Sequence, residues 1–132
     1  MEKTSFLALS FLKAKGLTGP PNLYNRGENP IEQGTIAFAS GKNTNSASRC
    51  RTKDTVTVAA EKKYKIFAGI DYVRVFEYQT DGTYIGNSAQ KSLPYTFTTG
   101  SNTGGIRFIF YNAAGSNVTP DEILGVRLIE TT

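Results

Sequence analysis

The sequence predicts an all-β chain, an antiparallel sandwich or barrel, on three observations. Short segments of period-2 alternation recur about every ten residues; Gly, Asn, Ser, Asp and Pro separate them; and no helical pattern longer than a single turn lies between them. That rhythm argues against a parallel α/β sheet, which needs a crossover helix between successive strands. At 132 residues the chain has the size of one domain. Hydrophobic residues at 39%, charged residues at 20%, and seven Tyr with eight Phe give the balance of a chain that folds around a core.

Taken in order, residues 1–21 read as an N-terminal arm and residues 22–132 as the β domain. In the arm, Ser5 to Leu12 form an apolar run of about eight residues, too short for a membrane span. Lys13 and Lys15 interrupt it and no small-x-small cleavage site follows, which argues against a signal peptide. It reads as a short amphipathic lead-in, helix or first strand, or as an irregular arm packed on its own domain or a neighbour. Gly16 to Pro21 then break the pattern, since two consecutive prolines stop any helix.

The first strand signal is Gly34 to Ala39, where Ile36 and Phe38 alternate with smaller residues. Ser40 to Ser48 are polar and read as flexible loop. Asp54 to Val58 alternate Val56 and Val58 with threonines, and Tyr64, Ile66 and Ala68 alternate with Lys63, Lys65 and Phe67. Tyr72 to Tyr78 form the strongest strand, joined to Thr83 to Gly86 by a hairpin in which Asp81-Gly82 supplies the positive φ of the turn. Tyr95 to Thr98, Ile106 to Tyr111 and Val126 to Glu130 complete the set. Thr119-Pro120-Asp121-Glu122 carries a helical signal, a capping Thr, Pro at the first position and two acids in the first turn, enough for one turn between strands.

Composition also removes chemistry. The chain has no histidine and one cysteine, Cys50, so a Ser-His-Asp or Cys-His site, His-ligated metals, Cys-based zinc and an internal disulfide are all closed. The net charge of +4 is spread along the chain instead of clustered, which does not suit nucleic acid. Asp71, Glu77 and Asp81 are acids of the kind glycoside hydrolysis uses, but two of them flank a hairpin where turn chemistry explains them. No Asp-rich loop of calcium-binding spacing is present. The expectation is a protein that is not an enzyme and carries no cofactor or metal.

From Asn22 to Glu130 the order of segments resembles a carbohydrate-binding-module-like jelly-roll domain found in tail, baseplate and tail-fibre proteins of phages that infect Gram-positive bacteria. The resemblance rests on Asn22-Leu23-Tyr24-Asn25, Gly34-Thr35-Ile36, Arg49 to Asp54 leading into Val56-Thr57-Val58, Val73 to Tyr78 and Gly82 to Gly86, followed by Thr96 to Thr99, Gly105 to Phe110 and Thr119-Pro120-Asp121. Between Val56 and Tyr64 the family usually has proline with glycine or asparagine, where this chain has Ala59-Ala60-Glu61-Lys62-Lys63.

The resemblance implies an antiparallel jelly-roll sandwich of about eight strands. It implies a non-catalytic virion protein of the tail or baseplate that binds cell-wall polysaccharide of a bacterial host. Other virion tail proteins would be its partners, in a homo-oligomer, with neither nucleic acid nor membrane. The alternative is an assembly or decoration domain of the virion with no ligand of its own.

Sugar recognition needs a flat apolar ring face and fixed polar groups, and with no tryptophan in the chain tyrosine supplies the ring. If Val73 and Val75 face the core, Tyr72, Arg74 and Tyr78 lie on the outer face. If Ile106, Phe108 and Phe110 are core, Arg107, Ile109 and Tyr111 lie outside. Were the two strands neighbours, Tyr72, Arg74, Tyr78, Arg107 and Tyr111 would form one ligand-binding platform; otherwise they are exposed sheet residues or a subunit interface. Arg49, Arg51 and Asp54 suggest a buried Arg–carboxylate pair, and Cys50 beside them a small buried strand residue.

Overall fold

Alternation becomes two stacked antiparallel sheets in the computed structural model, which describes residues 20–131. The lead-in expected within residues 1–19 lies outside the described residues. The strands are β1 (Ile31–Gln33), β2 (Thr35–Ile36), β3 (Asn43–Thr44), β4 (Cys50–Thr52), β5 (Val56–Thr57) and β6 (Lys63–Phe67). They continue as β7 (Tyr72–Tyr78), β8 (Tyr84–Asn87), β9 (Lys91–Ser92), β10 (Tyr95–Thr98), β11 (Gly105–Tyr111) and β12 (Arg127–Thr131).

The larger sheet runs β1-β4-β11-β7-β8, and the smaller runs β10-β6-β12. Two of the short strands continue others: β5 pairs with β11 beyond β4, and β9 pairs with β7 beyond β8. Counted by width, the sandwich is five strands against three; of the eight segments expected, Gly34 to Ala39 goes to a separate hairpin and Asp54 to Val58 only extends β4, while β1 and β4 complete the larger sheet. Side chains alternating from both sheets fill the space between them: Cys50, Val56, Val73, Val75, Ile106, Phe108 and Phe110 from the larger, Tyr64, Ile66, Phe97 and Leu128 from the smaller.

Local chemistry places the connections. After β7, Gly82 adopts φ +90 and Asp81 Oδ1 accepts the Thr83 N–H at 3.0 Å, the hairpin expected there. Between β5 and β6, the turn that departs from the family pattern is made by Glu61, which takes a positive φ of 56 without a glycine. Pro120–Glu122 form a single 3-10 turn in which Glu122 Oε1 accepts from the Thr119 N–H and hydroxyl.

One expectation is corrected here. Ser40 to Ser48 are not wholly loop, because Asn43–Thr44 pair with Thr35–Ile36 as a small hairpin. Ala37 and Lys42 close it through a 2.8 Å bond, and Gly41, at φ +69, makes its tight turn. This hairpin is not part of either sheet. It lies across the outer face of the larger one.

Candidate functional site

The two strands that carry the predicted platform do neighbour each other. β7 and β11 pair along their whole length, with Tyr72 opposite Tyr111, Arg74 opposite Ile109 and Phe76 opposite Arg107. Alternation therefore sets Tyr72, Arg74, Phe76, Tyr78, Arg107, Ile109 and Tyr111 on one face, away from the sandwich core.

That face is not open, and here the expectation of exposure is corrected for Tyr78, Arg107 and Tyr111. Ile36 of the hairpin packs with Phe76, Tyr78, Ile109 and Tyr111 to form a second apolar cluster, with Tyr72 and Tyr84 at its margin. The hairpin is fastened down by polar contacts. Tyr78 donates its hydroxyl to Gly41 O at 2.8 Å, Tyr84 donates to Phe38 O at 2.6 Å, and Arg51 Nη1 donates to Thr35 O and Thr44 O. A Cβ on Gly41 would run into the Tyr84 ring, so the close approach requires glycine.

Arg107 is turned inward along the sheet, and its Nε and Nη2 both donate to Thr52 O, at 3.2 and 2.7 Å. Burial pushes the Tyr78 phenol above its usual range, partly offset by the Arg107 charge beside it. Both residues are committed to holding the structure together. Tyr72 and Arg74 remain half-exposed at the margin.

What stays accessible is a small cluster at one edge of the hairpin. Phe38, 43% exposed, has two cations against its ring: the Arg74 guanidinium carbon is 3.7 Å from its centroid and that of Arg49 is 5.5 Å away. Arg49 also lies over Tyr111, at 4.6 Å, and Tyr111 packs against Tyr72 at 5.7 Å. Arg74 Nη1 donates to Asn87 Oδ1 at 2.7 Å. A cleft of about 180 Å³ opens here, lined by Thr35, Ile36, Ala37, Phe38, Thr44 and Arg49.

Three buried side-chain polar atoms lack a hydrogen-bond partner among the described residues: Thr35 Oγ1, Arg74 Nε and Tyr111 OH. All three belong to this cluster. Thr35 shares the cleft wall with Phe38 and Arg49, Arg74 covers Phe38, and Tyr111 lies beneath Arg49. Buried polar groups are nearly always paired, so three exceptions in one neighbourhood mark it chemically.

Other residues singled out by sequence have structural partners. Arg51 does form a carboxylate pair, but with Glu32 of the adjacent strand at 2.7 Å and not with Asp54; the register that sets Glu32 opposite Arg51 decides this. Cys50 is fully buried, and burial, reinforced by the Glu122 carboxylate and opposed only by the Arg26 charge, pushes the thiol up to about 11. Asp71 accepts the Ala113 N–H, Glu77 Oε1 takes Gly100 N–H and the Thr103 hydroxyl, and Asp81 is held below its usual range by the Thr83 N–H. Among the described residues no three His, Cys, Asp or Glu side chains group so as to hold a metal ion.

A more voluminous cleft, about 670 Å³, lies elsewhere, between Gln33, Asn45 to Ala47 and Asn117 to Thr119. It has neither an aromatic ring nor a charge on its wall, and its size does not compensate for that.

Sequence reasoning assigned Phe38 to an ordinary strand and Arg49 to an ion pair, and passed over Thr35 and Asn87. One signal was available: Phe76 and Ile109 are apolar on the face read as outer, so that face had to be covered by something. No protein-family model matches the chain, and no curated protein gives a significant match.

Proposed function

We propose that the chain is a non-catalytic module of a phage tail or baseplate that binds host cell-surface saccharide at the cleft walled by Phe38 and Arg49, with Arg74 against the Phe38 ring. The carrying observation is the set of partnerless polar atoms, Thr35 Oγ1, Arg74 Nε and Tyr111 OH, beside a half-exposed ring. Each such atom costs about 1–3 kcal/mol of desolvation when left unpaired, a cost that ligand hydroxyls would offset once these side chains turn toward the cleft. Phe38 offers the apolar surface that a sugar ring's C–H side needs, and Asn87 and Tyr72 offer further polar groups. At about 180 Å³ the cleft is smaller than the roughly 300–1,000 Å³ of a drug-sized site and suits a single sugar unit. Weak single-site binding would become firm attachment through many copies on one virion.

Retention of the purified protein on Gram-positive cell walls tests this reading. Wild type is expected to be retained, retention to fall after enzymatic removal of the wall polysaccharide, and Arg74→Ala to fall similarly while keeping its fold. Wild-type protein that washes through intact walls, or retention unaffected by polysaccharide removal, overturns it.

A second reading, a virion assembly or decoration domain, is supported by the outer face of β10-β6-β12. There Phe67 and Ile129 lie among Lys63, Lys65 and Arg127 with no element covering them among the described residues. Phe67→Glu is expected to lower the oligomeric mass measured by light scattering on this reading. An unchanged mass counts against it.

A further inference from the structure

We infer that the ligand of the cleft is acidic: a sugar or polyol bearing a phosphate or carboxylate group, which the guanidiniums of Arg49 and Arg74 grip together. The inference rests on the saccharide reading of this cleft and adds the charge of its ligand.

The molecule supplies its own controls. Arg26 donates to the carbonyls of Pro120 and Ile123, Arg51 is paired with Glu32 and two carbonyls, and Arg107 places two donors on Thr52 O. Each of these buried or half-buried guanidiniums has oxygen acceptors.

Arg49 and Arg74 are different. Among the described residues, the Arg49 guanidinium has no carboxylate within ion-pair distance and no hydrogen-bond acceptor, and it lies against two rings instead. Arg74 places one nitrogen on the neutral Asn87 amide and keeps a buried, partnerless Nε.

Ring faces attract cations but do not accept the in-plane N–H groups of a guanidinium that stacks on them. Those N–H edges form a fork suited to two oxygens of one anion. Two like charges also share the single Phe38 ring, with no carboxylate of the described residues within ion-pair distance of either. One oxyanion beside them would relieve their repulsion and accept the N–H groups that Arg49 and Arg74 leave unpaired. A neutral hexose would leave both charges uncompensated, so it is a poorer fit than the same unit carrying an acid.

Titration of the ¹⁵N-labelled full chain tests this, read at the arginine Nε resonances, with inorganic phosphate, glycerol phosphate, glucuronate and glucose as separate probes. The acids are expected to shift Arg49 and Arg74, glucose at equal concentration to leave them in place, and added salt to weaken the acid response. The phosphate and glucuronate arms separate the two possible acid groups, and a response to either supports the inference. Arg49→Gln and Arg74→Gln should each weaken binding about tenfold, whereas Arg49→Lys, which keeps charge but loses the fork, should weaken it less. The backbone spectrum verifies that each variant is folded.

Glucose shifting these resonances as strongly as the acids overturns the inference. So does acid binding that survives the folded double substitution, or a phosphate response confined to scattered lysines. Polysaccharide-dependent retention on cell walls without any response to the acids overturns the acidic ligand and leaves the saccharide reading standing. Loss of both overturns both.

Discussion

The two faces of the β7–β11 ladder are both covered, yet they differ in what covers them and in how completely they are satisfied. Toward the sandwich lie Val73, Val75, Ile106, Phe108 and Phe110, all essentially inaccessible and without a polar side-chain atom. Toward the hairpin lie Phe76 and Ile109 mixed with Tyr72, Arg74, Tyr78, Arg107 and Tyr111, and two of the partnerless polar atoms belong to this face. The first face gains from burial at every position. The second loses some of that gain at Arg74 and Tyr111, where donors are desolvated without return. A protein optimised for stability alone would not retain such a face, which is why the candidate site belongs there.

The largest test of this contrast is Phe108→Ala on the sandwich side. Removing that ring is expected to cost about 3–5 kcal/mol in urea denaturation. A loss below about 1 kcal/mol would mean that the space between the sheets is not the main core. On the hairpin side, Arg107→Ala removes the donors to Thr52 O and should cost about 1–3 kcal/mol. Cell-wall retention of the folded fraction should be unchanged, which separates Arg107 from Arg74.

The sharpest comparison applies one small change to both sides. Tyr64, in the sandwich core, accepts the Ala59 N–H at 2.8 Å, so Tyr64→Phe is expected to cost about 1 kcal/mol. Tyr111 has no such partner, so Tyr111→Phe should leave stability unchanged or raise it by up to about 1 kcal/mol while weakening ligand binding. Equal losses of stability in both variants would erase the distinction between the faces.

The smallest effect concerns Cys50, whose thiol rises from 9.0 to about 11 on burial. The folded state holds that proton more tightly than the unfolded chain, so its contribution is complete below about pH 9 and declines as pH rises toward 11. Denaturation midpoints for wild type and Cys50→Ala should therefore converge between pH 8 and pH 11 relative to their separation at pH 7. A constant separation would show that the thiol does not titrate in that window.

Much of the fold was legible because alternation is a local property. Val73, Val75, Ile106, Phe108 and Phe110 were readable as core from spacing alone, and Asp81-Gly82 as a turn from its own chemistry. The short strands β1, β3 and β9, of two or three residues each, were not read, since so few residues carry no period. The Arg51 partner was also out of reach, because register brings Glu32 beside it from 19 positions away.

The candidate site divides along the same line. Sequence by itself determined that Tyr72, Arg74, Tyr78, Arg107 and Tyr111 would share one face if their strands paired, since side-chain direction on a strand follows from residue parity. Tertiary structure alone decided which of them stay accessible. A hairpin from residues 35–44 folds over that face, ties down Tyr78 through the Gly41 carbonyl, and sets Phe38 at the margin beside Arg49 and Arg74, while Arg107 is held by the Thr52 carbonyl of β4. Coverage depends on contacts between residues some forty positions apart, such as Gly41 with Tyr84, and no local pattern encodes which distant segment will supply them.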